Sequence, residues 1–376
     1  MKVVCLAVAV ALCLGCDQRP ARIESVVVPP AISVEASDKQ GWPFAIEPQF
    51  ASVGGFAEGL SAVEDLTSGK WGYIDTNGKY VIAPQFDDAM SFAERLAAVR
   101  IGDFETGKWG FIDKQGKFVI NPRYDQAYRF SEGLAAVRIG DFKTGKWGYI
   151  DRQGKMVISP RFDFFGEFED GLAAQTLNSA SRQWRVIDML GNTVLGSLDG
   201  LDRFSDGLAP IRIVDGETSK SGFINKQGKI VIDLQFGDAY RFSDGLAPVR
   251  IGDSKTGRWG FIDITGKLVI NPIFDNARWF ADGRAAVRDS KTGKWGFIDR
   301  HGDMVIAPQF EQHSFFKAGV AAVRIGDSKT GKWGFIDKQG NFVIEPQFKG
   351  ADDFLEGLAA VAVNDGKATK WGFIGR

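Results

Sequence analysis

"KWGFIDKQGKFVINPRY", residues 108–124, decides the fold, because close copies return as "KWGYIDRQGKMVISPRF" at 146–162 and "KWGFIDKQGNFVIEPQF" at 332–348. Aligning the Trp-Gly pairs places equivalents at Trp71, Trp109, Trp147, Trp184, Ser221, Trp259, Trp295, Trp333 and Trp371, spaced 36 to 38 residues apart. A fixed period near 38 marks a repeat architecture, in which no unit buries its apolar face alone and stacked neighbours share a core. The repeated pattern is W-G-F-I-D-x-x-G-K-x-V-I-x-P-x-F-D-x-A-x-x-F-x-E-G-L-A-A-V-R-I-G-D-x-x-T-G-K, and it covers nearly everything from Gln40 onward.

Each unit contains three strands, read from "KWGFID", from "FVI" with its neighbours, and from "LAAVRI". Gly116 and its equivalents Gly78, Gly154, Gly266 and Gly340 supply the positive φ of a tight hairpin between the first two. Pro84, Pro122, Pro160, Pro272, Pro308 and Pro346 are expected just past the second strand, where a missing N–H ends a ladder at little cost. A fourth, weaker strand is expected in segments such as "FDDAMSF". The repeated Trp could be a stacking platform for sugars or cations. Its recurrence with the same neighbours favours a packing role, each ring buried against the next unit, with Gly110 admitting a close neighbour.

Through "WGFID.QGK.VI.P.F" the chain resembles the WG-repeat family of bacterial proteins, over about nine tenths of its length. The resemblance implies an all-β repeat protein and transfers no catalytic residues. Two copies depart from the pattern: "QWRVIDMLGNTVLGSLDG" has Arg185 for Gly and lacks the proline, and "KSGFINKQGK" has Ser221 and Asn225. Regular packing over 175–225 is therefore in question.

The two ends of the array complement each other. The last copy stops at "WGFIGR", and the first begins at "SDKQGWPFAIEPQF", which reads as the continuation of a copy whose Trp-Gly strand is missing. A shared terminal unit of this kind closes a β-propeller-like ring of nine units and removes two exposed sheet edges. An open β-solenoid is the alternative, and would need polar caps at both ends.

With 46 basic and 47 acidic residues the chain has a net charge of −1, so it offers no field for nucleic acid or anionic lipid. Its three cysteines, Cys5, Cys13 and Cys16, all fall within the first 16 residues, leaving the repeats without a thiol for disulfide, metal or nucleophile. "MKVVCLAVAVALCLGC" is one positive residue followed by an apolar run too short to anchor in a bilayer, and so reads as an export signal. Its end, "CLGCDQ", resembles the lipobox of bacterial lipoproteins, which implies a signal peptide over 1–15 and lipidation of Cys16. Cys13 departs from the usual Leu and keeps ordinary signal cleavage open. Residues 16–37 would be a tether with a reach of ~25 Å, and residues 38–376 the repeat domain. Localisation would be the cell envelope, facing the periplasm or exterior, with Asp17 resembling an inner-membrane retention signal.

Most carboxylates occupy repeated positions. Asp113 and its equivalents Asp75, Asp151, Asp263, Asp299 and Asp337 sit at a hairpin where Asp bonds its own turn. "GDFETG" at 102 imitates a calcium loop, but Lys143, Lys255 and Lys329 stand where Glu105 does, so it reads as a turn. His301 and His313 lack a cysteine partner, and no metal site or cofactor is expected. The recurrent Arg100, Arg138, Arg250, Arg288 and Arg324 either ring a channel or lie over aromatic faces.

The units differ most just before the mid-unit Phe, reading "AMS", "AYR", "FGE", "AYR", "ARW", "HSF" and "ADD". Variable segments on a common scaffold are where rigid folds carry recognition. Tyr128, Arg129, Tyr240, Arg241, Arg278 and Trp279 are the candidate ligand-binding residues, of types enriched at binding hot spots. The expectation is a non-catalytic envelope lipoprotein serving as a binding scaffold for a protein or a cell-wall glycan. The alternative is a propeller-type glycan hydrolase with its carboxylates in the irregular 175–225 stretch, where Asp188, Asp199, Asp202 and Asp206 lie.

Overall fold

Strand β1 (Phe44–Val53) leads into β2 (Leu60–Asp65), β3 (Trp71–Asp75) and β4 (Tyr80–Phe86), and the next unit follows as β5 (Asp88–Ala89), β6 (Ala97–Ile101), β7 (Lys108–Ile112) and β8 (Phe118–Tyr124). All pairings are antiparallel, and each unit is an up-and-down sheet in chain order. The computed structural model describes residues 44–176, 183–215, 218–327, 329–364, 366 and 368–376. The expected signal peptide 1–15, the expected lipidation site Cys16 and the expected tether 16–37 lie outside these described residues.

The pairing of β7 with β8 explains why Trp-Gly and Pro travel together. Trp109 faces Tyr124 and Phe111 faces Ile120, so three residues of β8, including Pro122, bulge across the single residue Gly110. A Cβ on Gly110 would lie 2.5 Å from the Ile120 carbonyl oxygen and 2.7 Å from the Pro122 nitrogen. The prolines therefore sit inside the outer strand rather than past its end. That strand has a free outer edge, where a missing N–H breaks no ladder.

At the far end of the hairpin, Gly116 turns at φ 80° and the Asp113 carboxylate accepts from the N–H groups of Gln115 and Lys117. In "GDFETG", Asp103 accepts from the N–H groups of Glu105 and Thr106, so the loop folds on its own carboxylate.

Apolar side chains from two successive units interleave. Phe111 of one unit packs against Phe130 of the next at 4.9 Å between ring centres, within a cluster that also buries Trp109, Ile120 and Ile150. The described residues form nine such clusters, and one of them joins Ile46, Phe50 and Val63 to Leu358, Ala360 and Phe373. A row of nine units with free ends would share eight.

The same seam is made by backbone. The first half of β1 pairs with strand Thr369–Gly375 of the last unit, and its second half pairs with β2 of the first. First and last units thus share one strand.

A carboxylate belt runs along one face. Most turns between the first and second strands place Glu or Asp at positive φ before a positive-φ Gly, as at Glu58 and Gly59, the signature of a type I′ hairpin; Arg95 replaces the Gly in one turn and Ala318 the acid in another. Most of these acids reach the next unit's turn: Glu58 to Arg95 N–H, Glu94 to Gly133 N–H, Asp244 to Gly283 N–H, and Glu356 back to Gly59 N–H, whereas Asp170 pairs with Lys226.

The irregular copies retain the core and lose part of a sheet. Leu172–Thr176, Trp184–Asp188 and Thr193–Leu198 form a three-stranded sheet, with the first-strand position reduced to a bridge between Phe164 and Thr176. Gln175 stands where other units have Val or, at Ile211, Ile. Its fully buried amide donates to the Tyr149 hydroxyl, and Tyr149 donates to the Gly166 carbonyl at 2.6 Å.

Candidate functional site on the inner rim

The expected fourth strand exists in every unit but the three-stranded one, and is the first, innermost strand of its unit. Gly55, Arg278, Phe315 and Asp352, in or directly after the first strands of four different units, line one cavity, whereas the fourth strands expose Val81, Val119, Val157 and Val269.

Each innermost strand leaves its sheet at the same two positions. In strand Gln126–Ser131, Ala127 faces Val137 and Phe130 faces Ala135, so Tyr128 and Arg129 oppose the single residue Ala136. Arg278 and Trp279 bulge in the same way opposite Ala286, and Asp352 and Asp353 opposite Ala360. In other units the strand stops there, as at Ala239 just ahead of Tyr240 and Arg241. A bulge re-aims side chains that a regular pleat would send into the sheet. The variable dipeptide is therefore presented toward the middle of the array, while Ala127 and Phe130 beside it are buried.

Four of the six candidate residues form one group. The Arg241 guanidinium lies 4.2 Å above the Trp279 ring, and Arg278 lies 5.9 Å from the ring of Tyr240. Tyr240 stacks on Trp259 at 4.8 Å and 9°, and Trp279 stacks on Phe315 at 4.5 Å and 12°. Tyr128 and Arg129 stand apart. Arg129 forms a bidentate pair with Glu167 at 2.8 and 2.7 Å, and Tyr128 packs on Phe165 at 4.4 Å. These two border a cavity of about 620 Å³ where the missing first strand leaves a notch.

The larger cleft, about 1040 Å³, spans the last three units and the first. Its walls carry Trp279, Trp295, Trp333, Phe315 and His313, with Arg278, Arg288, Glu311, Asp352 and Asp353 among them. Gly55 lines one side, where a Cβ would come within 2.3 Å of Leu355 Cδ1. His313 rests against Trp295 at 4.6 Å with its Nδ1 2.9 Å from the Ser314 carbonyl oxygen, and burial pushes its pKa down to about 4. Burial, and then the neighbouring Asp353, push Asp352 up from the usual carboxylate value.

Sequence reasoning passed over His313, Phe315, Asp352 and Asp353. They occupy the same variable segments, "HSF" and "ADD", but the choice of hot-spot residue types selected only Tyr, Trp and Arg. The repeated arginines serve the scaffold. Arg100 donates to the carbonyls of Gly102 and Asp87, and Arg138 covers the Phe142 ring at 4.2 Å. Among the described residues no group of three or more His, Cys, Asp or Glu could hold a metal ion, and no helix is long and apolar enough to cross a membrane.

The WG containing repeat matches at residues 71–103, 109–141, 147–176, 222–254, 259–292, 295–328 and 333–367, more than half of the chain. The chain belongs to the WG-repeat family. The matched copies leave out 177–221, where the WG-repeat pattern departs most from its consensus. Among curated proteins, none matches the sequence.

Solved structures align with the chain at low identity. A eukaryotic initiation factor aligns with TM-score 0.57 and 12% identity, covering 79% of this chain and 88% of its own, a likeness of fold alone. The β-propeller domain of the Trilobed protease from Pyrococcus furiosus aligns at TM-score 0.39 and 11% identity, over 66% of this chain and 92% of its own. Dipeptidyl peptidase 4 of Porphyromonas gingivalis aligns at 0.47 and 9%, over 85% and 57%.

Proposed function

We propose that this WG-repeat protein is a non-catalytic binding scaffold of the bacterial cell envelope, lipid-anchored through Cys16, whose inner rim holds a cell-wall glycan. The observation that carries the reading is the cleft of about 1040 Å³, where three tryptophans and a phenylalanine stand beside carboxylates and arginines. Concave sites of this size with aromatic walls and a few convergent polar groups suit small or chain-like ligands, whereas protein partners more often meet a broad, flatter surface. Aromatic rings pack against the C–H faces of sugars, and charged side chains hydrogen-bond their hydroxyls. Bracing of Trp279 by Phe315 and Arg241 fixes its orientation before any ligand arrives, which lowers the entropy lost on binding.

The hydrolase alternative asks for free carboxylates in 175–225, and Asp188, Asp199, Asp202 and Asp206 already accept from backbone N–H groups. Asp188 accepts from the N–H groups of Leu190 and Asn192, Asp199 from Val214, Asp202 from Arg203 and Asp206 from Gly245.

The test is co-sedimentation of the purified repeat domain with isolated cell wall, beside a pull-down from detergent-solubilised envelope. Retention on cell wall that is lost in a Trp279→Ala/Phe315→Ala variant supports the reading. Retention unchanged in that variant, or capture of one envelope protein with no cell-wall retention, overturns it.

A further inference from the structure

Eight of the nine copies carry Trp where the ninth carries Ser221. The indoles occupy a constant slot between neighbouring units. Each rests against the second residue of the next unit's inner segment: Trp109 shares a cluster with Ala127, Trp184 with Leu201 and Trp259 with Ala277, and Trp147 meets Phe165 at 4.2 Å. On the near side lies the third residue of the unit's own inner segment, as where Trp147 meets Tyr128 at 5.7 Å and Trp259 stacks on Tyr240 at 4.8 Å.

In the unit built on strands Leu208–Asp215 and Thr218–Asn225, those two positions are Asp202 and Ala239. Ser221 is buried opposite Arg212, where the Trp belongs, and its short side chain cannot fill the slot. A cavity of about 180 Å³ remains, with Asp202 and Ala239 both in its lining and Leu201, Pro210, Ile211 and Tyr240 supplying apolar wall. A core cavity of ~150 Å³ made by shortening one apolar side chain takes up benzene, because the ring recovers the contacts that the deletion removed.

Arg212 adds a contact suited to a flat ring. It is the equivalent of Arg138, whose guanidinium stands 5.8 Å from the Trp147 indole. With no indole beside it, Arg212 is exposed and leans over Gly200, its Nε 3.2 Å from where a Cβ would stand. In another copy the edge of the Trp371 ring holds that place, 3.0 Å from a Cβ on Gly350. A ring entering the cavity gains the guanidinium over its face.

We propose that the Ser221 cavity is a binding site for a free planar aromatic compound of indole size, which takes the place of the missing side chain. The volume holds the ring and little more, so the ligand is a compact molecule. The inference is independent of the glycan reading, since this cavity and the large cleft share no lining residue.

The experiment titrates the whole repeat domain with indole, with cyclooctanol as a non-planar compound of similar bulk, and with N-acetyltryptophanamide, by calorimetry and by melting temperature. Two variants accompany it. Ser221→Trp restores the side chain found in the other copies, and Ala239→Phe narrows the slot from the facing unit with the residue type present at 165. The expected result is saturable binding of indole at one site, at least roughly tenfold tighter than cyclooctanol, with a melting temperature that rises with indole concentration. Both effects should be lost in Ser221→Trp. If that variant does not fold, Ala239→Phe gives the reading, with indole bound at least roughly tenfold more weakly. Absence of saturable indole binding overturns the proposal, and so does binding that persists in the variants, by placing the ring elsewhere. Cyclooctanol bound as tightly as indole overturns the requirement for an aromatic ring. N-acetyltryptophanamide bound more tightly than indole overturns the free ligand, by placing the ring on a polypeptide.

Discussion

Glu356 accepts a hydrogen bond from the backbone N–H of Gly59 at 2.9 Å, across 297 residues of sequence. The same bond joins Glu94 to Gly133 at 3.0 Å between units that are covalently continuous. One chemistry therefore serves both the ordinary seams and the one where no peptide bond crosses.

That difference is measurable. Hydrogen bonds to charged acceptors contribute up to about 1.5–3 kcal/mol, and less where solvent reaches them, so Glu356→Ala should cost on the order of 1 kcal/mol. Hydrogen exchange should accelerate in β1 and in Thr369–Gly375 together. Glu94→Ala should cost a similar amount without exposing the ends. Equal exchange profiles in the two variants would show that the last seam is no more vulnerable than the others.

Gly110→Ala should destabilise the domain by about 1–3 kcal/mol, because the added methyl meets the Pro122 backbone rather than a movable side chain. Gly133→Ala meets nothing within 4 Å but must adopt φ 81°, costing about 1 kcal/mol. Urea unfolding ranks them, and a harmless Gly110→Ala would dissociate the Trp-Gly pair from the proline bulge.

The Trp109 ring, 7% exposed, sits in the cluster between two units. Trp109→Ala should cost roughly 3–5 kcal/mol, as large aromatic deletions in cores do. Trp279→Ala at the half-exposed rim should cost less while abolishing cell-wall retention. A Trp109→Ala protein of native stability would return the repeated tryptophan to the list of ligand contacts.

The His313 imidazole, held near pKa 4 by burial against an unfolded value of ~6.5, gives a pH signature. Between those values the unfolded chain binds more protons, so its stabilising effect is full above ~6.5 and is lost as pH falls toward 4. His313→Gln should shrink the stability difference between pH 7 and pH 4.5 by on the order of 2 kcal/mol. Denaturation midpoints at the two pH values read this directly, and an unchanged difference would mean that the ring is free to charge.

Three of the four strands per unit were legible because their apolar residues recur with the turns that bound them. The innermost strand was faint for a physical reason: the two-residue bulge at Tyr128–Arg129 and its equivalents interrupts the alternation on which strand reading depends. The same bulge explains why the variable dipeptide could be found and its role only half seen. Its side chains were visible as differences between copies, but that Arg241 covers Trp279 and that Phe315 stacks beneath the same indole are contacts between units. No spacing within one unit encodes them. The proline was misplaced by a few residues because its partner, Gly110, is on the neighbouring strand.

Strand β1 has one further property, which is mechanical. It is the first strand of the described array, and it is also the strand that the first and last units share. Tension applied ahead of Phe44 is therefore delivered to the hydrogen bonds between β1 and Thr369–Gly375 before it reaches any other sheet. Under load the molecule should part there first, unfastening into a strip while the other eight seams remain closed, and should snap shut when the force is released.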